Sequence, residues 1–234
     1  MPNFLNPKAT EQDESHWLSV SDLMAGLMVV FLFIAIALMR NAMIERNQIK
    51  EVAVAYQENQ VAIFDALNNA FSEDLDRWDA SIDKDSLTFN FNSPDILFSE
   101  GEIDLNVQYK RLLGNFFPRY IAALDPFKDS INEVRIEGHT SSIWNQYTHE
   151  TDAYFKNMAL SQGRTRSVLE YIYRLKSVRN QQTWIKGHIA AVGFSSAKLI
   201  RGKNGKEDRS RSRRVSFRII TNADIKIKQI LEAK

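Results

Sequence analysis

Leu23–Met39 reads LMAGLMVVFLFIAIALM, 17 consecutive residues without a charge, flanked by Asp22 and Arg40. The rest of the 234-residue chain is ordinary by contrast. A quarter of all residues are charged, and 30 Lys plus Arg face 29 Asp plus Glu. Mean hydropathy is that of a soluble protein, so the chain is neither polytopic nor plainly soluble. One soluble domain behind a single apolar segment is the organisation this composition allows. The near-zero net charge gives no global argument for a nucleic-acid partner. The absence of cysteine excludes disulfides, thiolate metal sites and a cysteine nucleophile.

Seventeen helical residues span about 25 Å, short of a ~30 Å hydrocarbon core. A helix starting at Trp17 reaches about 34 Å, enough to cross, with Trp17 and Arg40 at the two interfaces. A signal peptide fits poorly. Ahead of Trp17 stand Lys8, Glu11, Asp13 and Glu14 rather than a basic region, and the run ends in Met39-Arg40-Asn41, not in small residues. A retained transmembrane helix over 17–39 is therefore expected, with residues 1–16 as a tail before it. Arg40, Arg46 and Lys50 follow the segment. Taken alone, the positive-inside rule would put that side in the cytoplasm.

Asp22 has two readings of equal weight. Ser19-Val20-Ser21-Asp22 matches a capping pattern, and a carboxylate is favourable at a helix start. If the membrane helix starts at Trp17, however, Asp22 lies just over one turn inside it. Ionisable residues there are costly and mark ion pathways. One helix cannot enclose such a pathway, and no other polar side chain lies between Leu23 and Met39. An ion-carrying Asp22 therefore requires a membrane partner.

Residues 40–85 read as a helical stalk. No Gly or Pro occurs between Gly26 and Pro94, and apolar residues recur at Ile49, Val52, Tyr56, Ile63, Leu67, Phe71, Leu75 and Trp78. The second half of this helix fits equally well as a helix folded onto the following domain. Residues 86–221 change period. Strands are expected at 87–92, 134–138, 189–194 and 215–220, and helices at 105–124, bent near Pro118, and at 160–175. Such alternation indicates an α/β sandwich in βαβαββ order. Residues 222–234 read as a polar tail helix.

His139 precedes Thr140, Ser141 and Ser142, but no nucleophile elbow and no metal-ligand spacing accompanies it. Lys198–Arg218 holds nine basic residues and two acidic ones, centred on Arg209, Arg211, Arg213 and Arg214. Nucleic-acid binding is one reading of that run. A solvated loop, or an arginine fork holding a carboxylate, are others.

Three segments together resemble the OmpA-like peptidoglycan-binding domain. Ile136-Glu137-Gly138-His139-Thr140 is similar to its I-x-G-H-T-D strand end, and Asn157-Met158-Ala159-Leu160-Ser161-Gln162-Gly163-Arg164 to N-x-x-L-S-x-x-R. Arg209-Ser210-Arg211-Ser212-Arg213-Arg214-Val215 is similar to R-x-x-N-R-R-V. In that family a loop Asp and a helix Arg hold the end groups of the peptidoglycan stem peptide. The resemblance places Arg164 in the Arg role, with Asn157 and Leu160 on its helix. It adds Thr140, Ser141, Arg209 and Arg213 to the peptidoglycan-binding set. Ser141 stands where the family has Asp, in a lengthened loop, and Asp152 within that insertion is the expected substitute. Ser212 replaces the family's Asn.

A single membrane helix with an early Asp, followed by such a domain, resembles the MotB family of ion-driven stator subunits. Trp17–Met28 (WLSVSDLMAGLM) is closer to the MotB-like subunits of Zorya anti-phage defence than to flagellar ones. The resemblance implies an inner-membrane protein with a cytoplasmic N-terminus and a periplasmic domain, in which Asp22 carries the ion. It further implies a homodimer inside a five-membered ring of a MotA-like partner, with the lipid bilayer and peptidoglycan as the other contacts and no nucleic acid. No enzymatic activity, cofactor or metal is implied. The transported ion is a proton in preference to sodium. The alternatives are a flagellar-type MotB subunit and a passive wall tether without ion flux.

Overall fold

The structure, a computed structural model, describes residues 8–92, 98 and 101–222, with side chains from residue 20 onward. The expected tail helix beyond Asn222 lies outside the described residues, as does the side chain of Trp17.

Helix α1 spans Lys8–Phe71, 64 residues, or about 95 Å at 1.5 Å per residue. It has no break at either expected membrane boundary, because no helix-breaking residue interrupts it. From residue 20 through the apolar run the side chains are exposed, with Leu23, Met28 and Phe33 among the most open. An apolar helix of this length left uncovered calls for lipid or protein around it.

The far end of α1 behaves in the opposite way. Ile63, Leu67 and Phe71 are fully buried. The helix stops where Arg119 covers its end. One Nη of Arg119 donates to the Ala70 carbonyl, the other donates to Asp74 Oδ2 at 2.6 Å, and the guanidinium lies 4.7 Å from the Phe71 ring centre. Arg77 also pairs with Asp74.

The expected stalk thus ends fourteen residues early, and its remainder is a turn and a strand. Strand β1 (Ala80–Asp83) pairs antiparallel with β2 (Thr88–Phe91). Four residues are too few to display a period, so the sequence pattern missed β1. Asp83 Oδ1 fixes the hairpin by accepting from both the Ser86 N–H and Ser86 Oγ at 2.8 Å.

Helix α2 (Val107–Leu124) contains Pro118 and is capped by Asn106, whose side chain accepts from the Tyr109 N–H. Next come β3 (Ile131–His139), α3 (Glu150–Tyr173), the short α4 (Gln182–His188) and β4 (Ile189–Ser195). The one-turn α5 (Arg209–Ser212) and β5 (Arg214–Thr221) complete the described chain. The sheet order is β1-β2-β5-β3-β4, with β3 and β4 parallel and every other pair antiparallel. The expected βαβαββ order is present, preceded by β1. Helix α3 begins ten residues before the expected start, so Asp152 lies in its first turn rather than in a loop.

Phe116 of α2 is the hub of the core. Its ring centre lies 4.7 Å from Phe89, 5.0 Å from Tyr120, 5.1 Å from Phe91 and Phe217, and 5.2 Å from Phe71. One side chain thus joins α1, α2, β2 and β5. We expect Phe116→Ala to destabilise the full-length protein in detergent by about 3–5 kcal/mol in chemical denaturation.

A second buried group sits at the end of β3. His139 stacks on Phe194 with ring centres 5.3 Å apart, and its Nε2 lies 3.3 Å from Glu137 Oε2. Lys198 Nζ is 3.9 Å both from the Phe194 ring and from Glu137 Oε2. Burial opposes ionisation of Glu137, yet the adjacent His139 ring and the charges of Lys198 and Arg218 outweigh it and hold the carboxyl below its usual range. Burial pushes His139 down, aided by Arg214 and Lys198 and opposed by Glu137. The folded chain therefore keeps this imidazole neutral more strongly than the unfolded chain does. Its contribution to stability is present above pH 6.5, the ordinary histidine value, and is lost as pH falls below it. Thermal unfolding is expected to move to lower temperature between pH 7 and pH 5, and His139→Gln is expected to flatten that dependence.

Candidate functional site

Part of each of the first two motifs brings α3 against the carboxyl ends of β3 and β4. Neither strand could carry a side chain at the contact. A Cβ on Gly138 would lie 2.8 Å from the Ser161 carbonyl oxygen, and one on Gly193 would lie 2.4 Å from the Gln162 nitrogen. Ser161 Oγ accepts from the Ser195 N–H at 3.1 Å and donates to the Met158 carbonyl. Ser195, at φ 52°, donates its hydroxyl to the Tyr154 carbonyl at 2.7 Å. The buried Asn157 donates to the Ser141 carbonyl at 3.2 Å, which ties the loop after β3 to the helix.

Between that loop, α3 and the start of β5 lies an open groove of about 570 Å³. It is lined by Thr140, Ser141, Ile143 and Trp144 from the loop, and by Asn157, Leu160 and Arg164 from α3. Phe98, Gly101 and Arg213 complete it. Arg164 is held in place, its Nε donating to the Glu102 carbonyl at 2.9 Å while the guanidinium covers Phe98 at 4.7 Å. Thr140 is 5 % exposed, and its Oγ1 has no hydrogen-bond partner among the described residues. Among the described residues the lining holds two guanidiniums and no carboxylate. The planar guanidinium of an arginine is a donor geometry that suits a carboxylate.

The structure brings together six of the expected binding residues: Thr140, Ser141, Asn157, Leu160, Arg164 and Arg213. Arg209 is exposed on α5 and Asp152 is exposed on the first turn of α3, and neither lines the groove. Ser212, fully buried, is structural: its Oγ accepts from the Ile200 N–H at 2.9 Å. His139 is taken up by the buried group below the groove. Asp22 is exposed on α1, one turn before Gly26 and at the other end of the helix from the domain. Among the described residues no cluster of His, Asp and Glu is placed to hold a metal.

Sequence reasoning missed Phe98, Gly101, Ile143, Trp144 and Glu207. Glu207 lies outside the groove and positions its loop, accepting from the Ser142 N–H at 2.9 Å and from Ser142 Oγ at 2.5 Å. It is 65 residues away in the chain, and no local pattern could connect the two. Trp144 was detectable as an aromatic in an uncharged loop.

The OmpA family matches residues 97–213. Over 222 residues the chain is 53% identical to the Zorya protein ZorB of Escherichia coli (strain Crooks), covering 95% of this chain and 94% of that protein. Among solved structures, the cell wall anchor of the T6SS from Pseudomonas aeruginosa is 20% identical. It covers 66% of this chain and 96% of its own, at a TM-score of 0.46. A MotB-like protein from Desulfovibrio vulgaris is 18% identical, covering 76% and 99%, at 0.43. The periplasmic domain of Helicobacter pylori MotB is 17% identical, covering 62% and 84%, at 0.42. With the groove assembled from all three sequence motifs, the near-complete match shows what the chain is: it belongs to the family of the Zorya protein ZorB, with an OmpA family domain over residues 97–213.

Proposed function

We propose that this chain is the wall-anchored, single-pass subunit of an ion-driven stator-type motor in anti-phage defence. In this reading α1 crosses the inner membrane over 17–39 with its N-terminus in the cytoplasm, and the domain lies in the periplasm. The observation that carries the reading is the joining of an exposed apolar helix, on which Asp22 precedes the uncharged run, by unbroken helix to a domain whose groove is lined by Arg164 and Arg213.

In the groove, Arg164 and Arg213 fork onto a carboxylate of the peptidoglycan stem peptide. Thr140 Oγ1 and the Ser141 hydroxyl supply further hydrogen bonds. Because Ser141 stands where an Asp would pair the ligand's ammonium, binding rests on the carboxylate end. At the other end Asp22 takes up and releases the transported ion, a proton in preference to sodium. Gly26 and Ala25 follow it at helical spacings of four and three. They leave room for a MotA-like partner to approach closely and complete the pathway. Two copies of the chain held to the wall would be the stationary element against which a ring of that partner turns.

Arg164→Ala is expected to lower retention on isolated sacculi about tenfold or more, the loss of a charge-assisted fork. Arg213→Ala should do likewise, while Arg209→Ala leaves retention unchanged. Equal retention by Arg164→Ala would place the wall contact elsewhere.

Asp22→Asn is expected to leave membrane insertion and complex assembly intact while abolishing ion flux and phage protection. Flux can be measured as pH change in proteoliposomes holding the chain and its membrane partner. Undiminished flux would assign Asp22 to helix capping and favour the passive tether.

A further inference from the structure

The groove opens onto an aromatic rim that the stem-peptide reading does not use. Residues 142–148 (SIWNQYT) carry no charge, in a chain of which 25% is charged. Trp144 contributes to the groove wall yet remains 37% exposed, and Tyr147, three residues on, is 87% exposed. Ile143 and Phe155 are exposed beside them in sequence and at the start of α3. Exposed aromatics on a loop that also lines a groove mark a contact surface.

The turn that presents Tyr147 is ordered rather than loose. Asn145 Oδ1 accepts from the Tyr147 N–H at 3.0 Å and from Thr148 Oγ1 at 2.6 Å. Lys156 Nζ lies 6.0 Å from the Trp144 ring centre, linking the loop to α3. Glu207 fixes the start of the same loop through Ser142. Held on both sides, the rim presents Trp144 and Tyr147 at little further cost in chain entropy.

We infer that this rim is a glycan subsite, with Trp144 and Tyr147 stacking against the sugar that bears the stem peptide. The inference rests on the proposed stem-peptide reading of the groove. A stem peptide hangs from a sugar chain, so a peptide end seated between Arg164 and Arg213 leaves its sugar outside the groove. The chemistry of the rim suits that occupant. An N-acetylated hexosamine has an apolar C–H face for an aromatic ring, and hydroxyls and amides for Asn145 and Gln146. Its uncharged ring needs no ion pair, which matches the uncharged segment 142–148. Wall binding would then draw on two chemistries, ionic inside the groove and stacking outside it.

The test compares two probes on the full chain in detergent by calorimetry: a disaccharide-bearing muropeptide and the same stem peptide without sugar. The wild type is expected to bind the muropeptide more tightly. Tyr147→Ala, outside the groove, should weaken muropeptide binding about tenfold, the loss of one aromatic anchor, and leave stem-peptide binding unchanged. Tyr147→Phe should retain most of the affinity, because the ring is kept. Equal wild-type affinity for both probes, or unchanged muropeptide binding by Tyr147→Ala, overturns the glycan subsite while leaving the groove intact. Equal weakening of both probes assigns Tyr147 to loop structure and overturns it too. No wild-type binding to either probe overturns the groove reading and the subsite together.

Discussion

The last turns of α1 are inside the core of the domain, and this is the constraint on which the remaining structure depends. Ile63, Leu67 and Phe71 are removed from water completely. Each such side chain contributes about 1.5–3 kcal/mol of transfer free energy. Phe71 meets Phe116 in the aromatic centre, and Arg119 binds both the helix end and Asp74. The apolar segment therefore runs by continuous helix into the core of the sandwich. Between Arg40 and Asn59 the helix rises about 28 Å without a Gly or Pro. Asn59, where the helix reaches the domain, donates to Ser130 Oγ at 2.8 Å.

The second constraint is the close approach of α3 to β3 and β4. Gly138 and Gly193 are required there because helix backbone, not side chain, occupies the position of their absent Cβ atoms. That contact aligns Asn157 with the Ser141 carbonyl and places Arg164 beside Thr140 and Arg213 in the groove. The motif residues thus divide into two kinds. Gly138, Ser161 and Ser212 set distances between elements, and Thr140, Leu160, Arg164 and Arg213 face the space so formed.

Much of this was legible in the sequence, for identifiable physical reasons. The strands at 134–138, 189–194 and 215–220 are long enough to show an apolar period, and all are found. The short β1 is not, and the spacing of Leu75 and Trp78 continues the helical pattern past Phe71, where the helix stops. They pack against the core from a turn. Helix α3 was started late because its first turns, Glu150 to Lys156, lack an apolar stripe and present Phe155 to solvent. That error put Asp152 in a loop and made it a candidate ligand. Arg209 and Arg213 are equivalent in a basic run. The fold separates them, since α5 ends at Ser212 and β5 begins at Arg214. Glu207 acts on Ser142 through an approach that only the assembled sheet creates.

A grip without the loop carboxylate raises the question of how it would resist a motor. One arginine fork is a modest interaction, about 1.5–3 kcal/mol for a hydrogen bond to a charged group, and on the proposed reading no acid balances the ligand's ammonium. Two features offset this weakness. On the proposed reading, two copies acting on one polymeric wall would convert the second contact into an intramolecular one, and retention would then exceed the affinity of either groove alone. An aromatic rim adds contact that salt does not screen, because stacking carries no net charge, whereas arginine–carboxylate pairing weakens as ions are added. A wall anchor built this way holds by number and by surface rather than by one ion pair. The exchange of Asp for Ser at 141 then shifts the balance between these contacts without removing the grip.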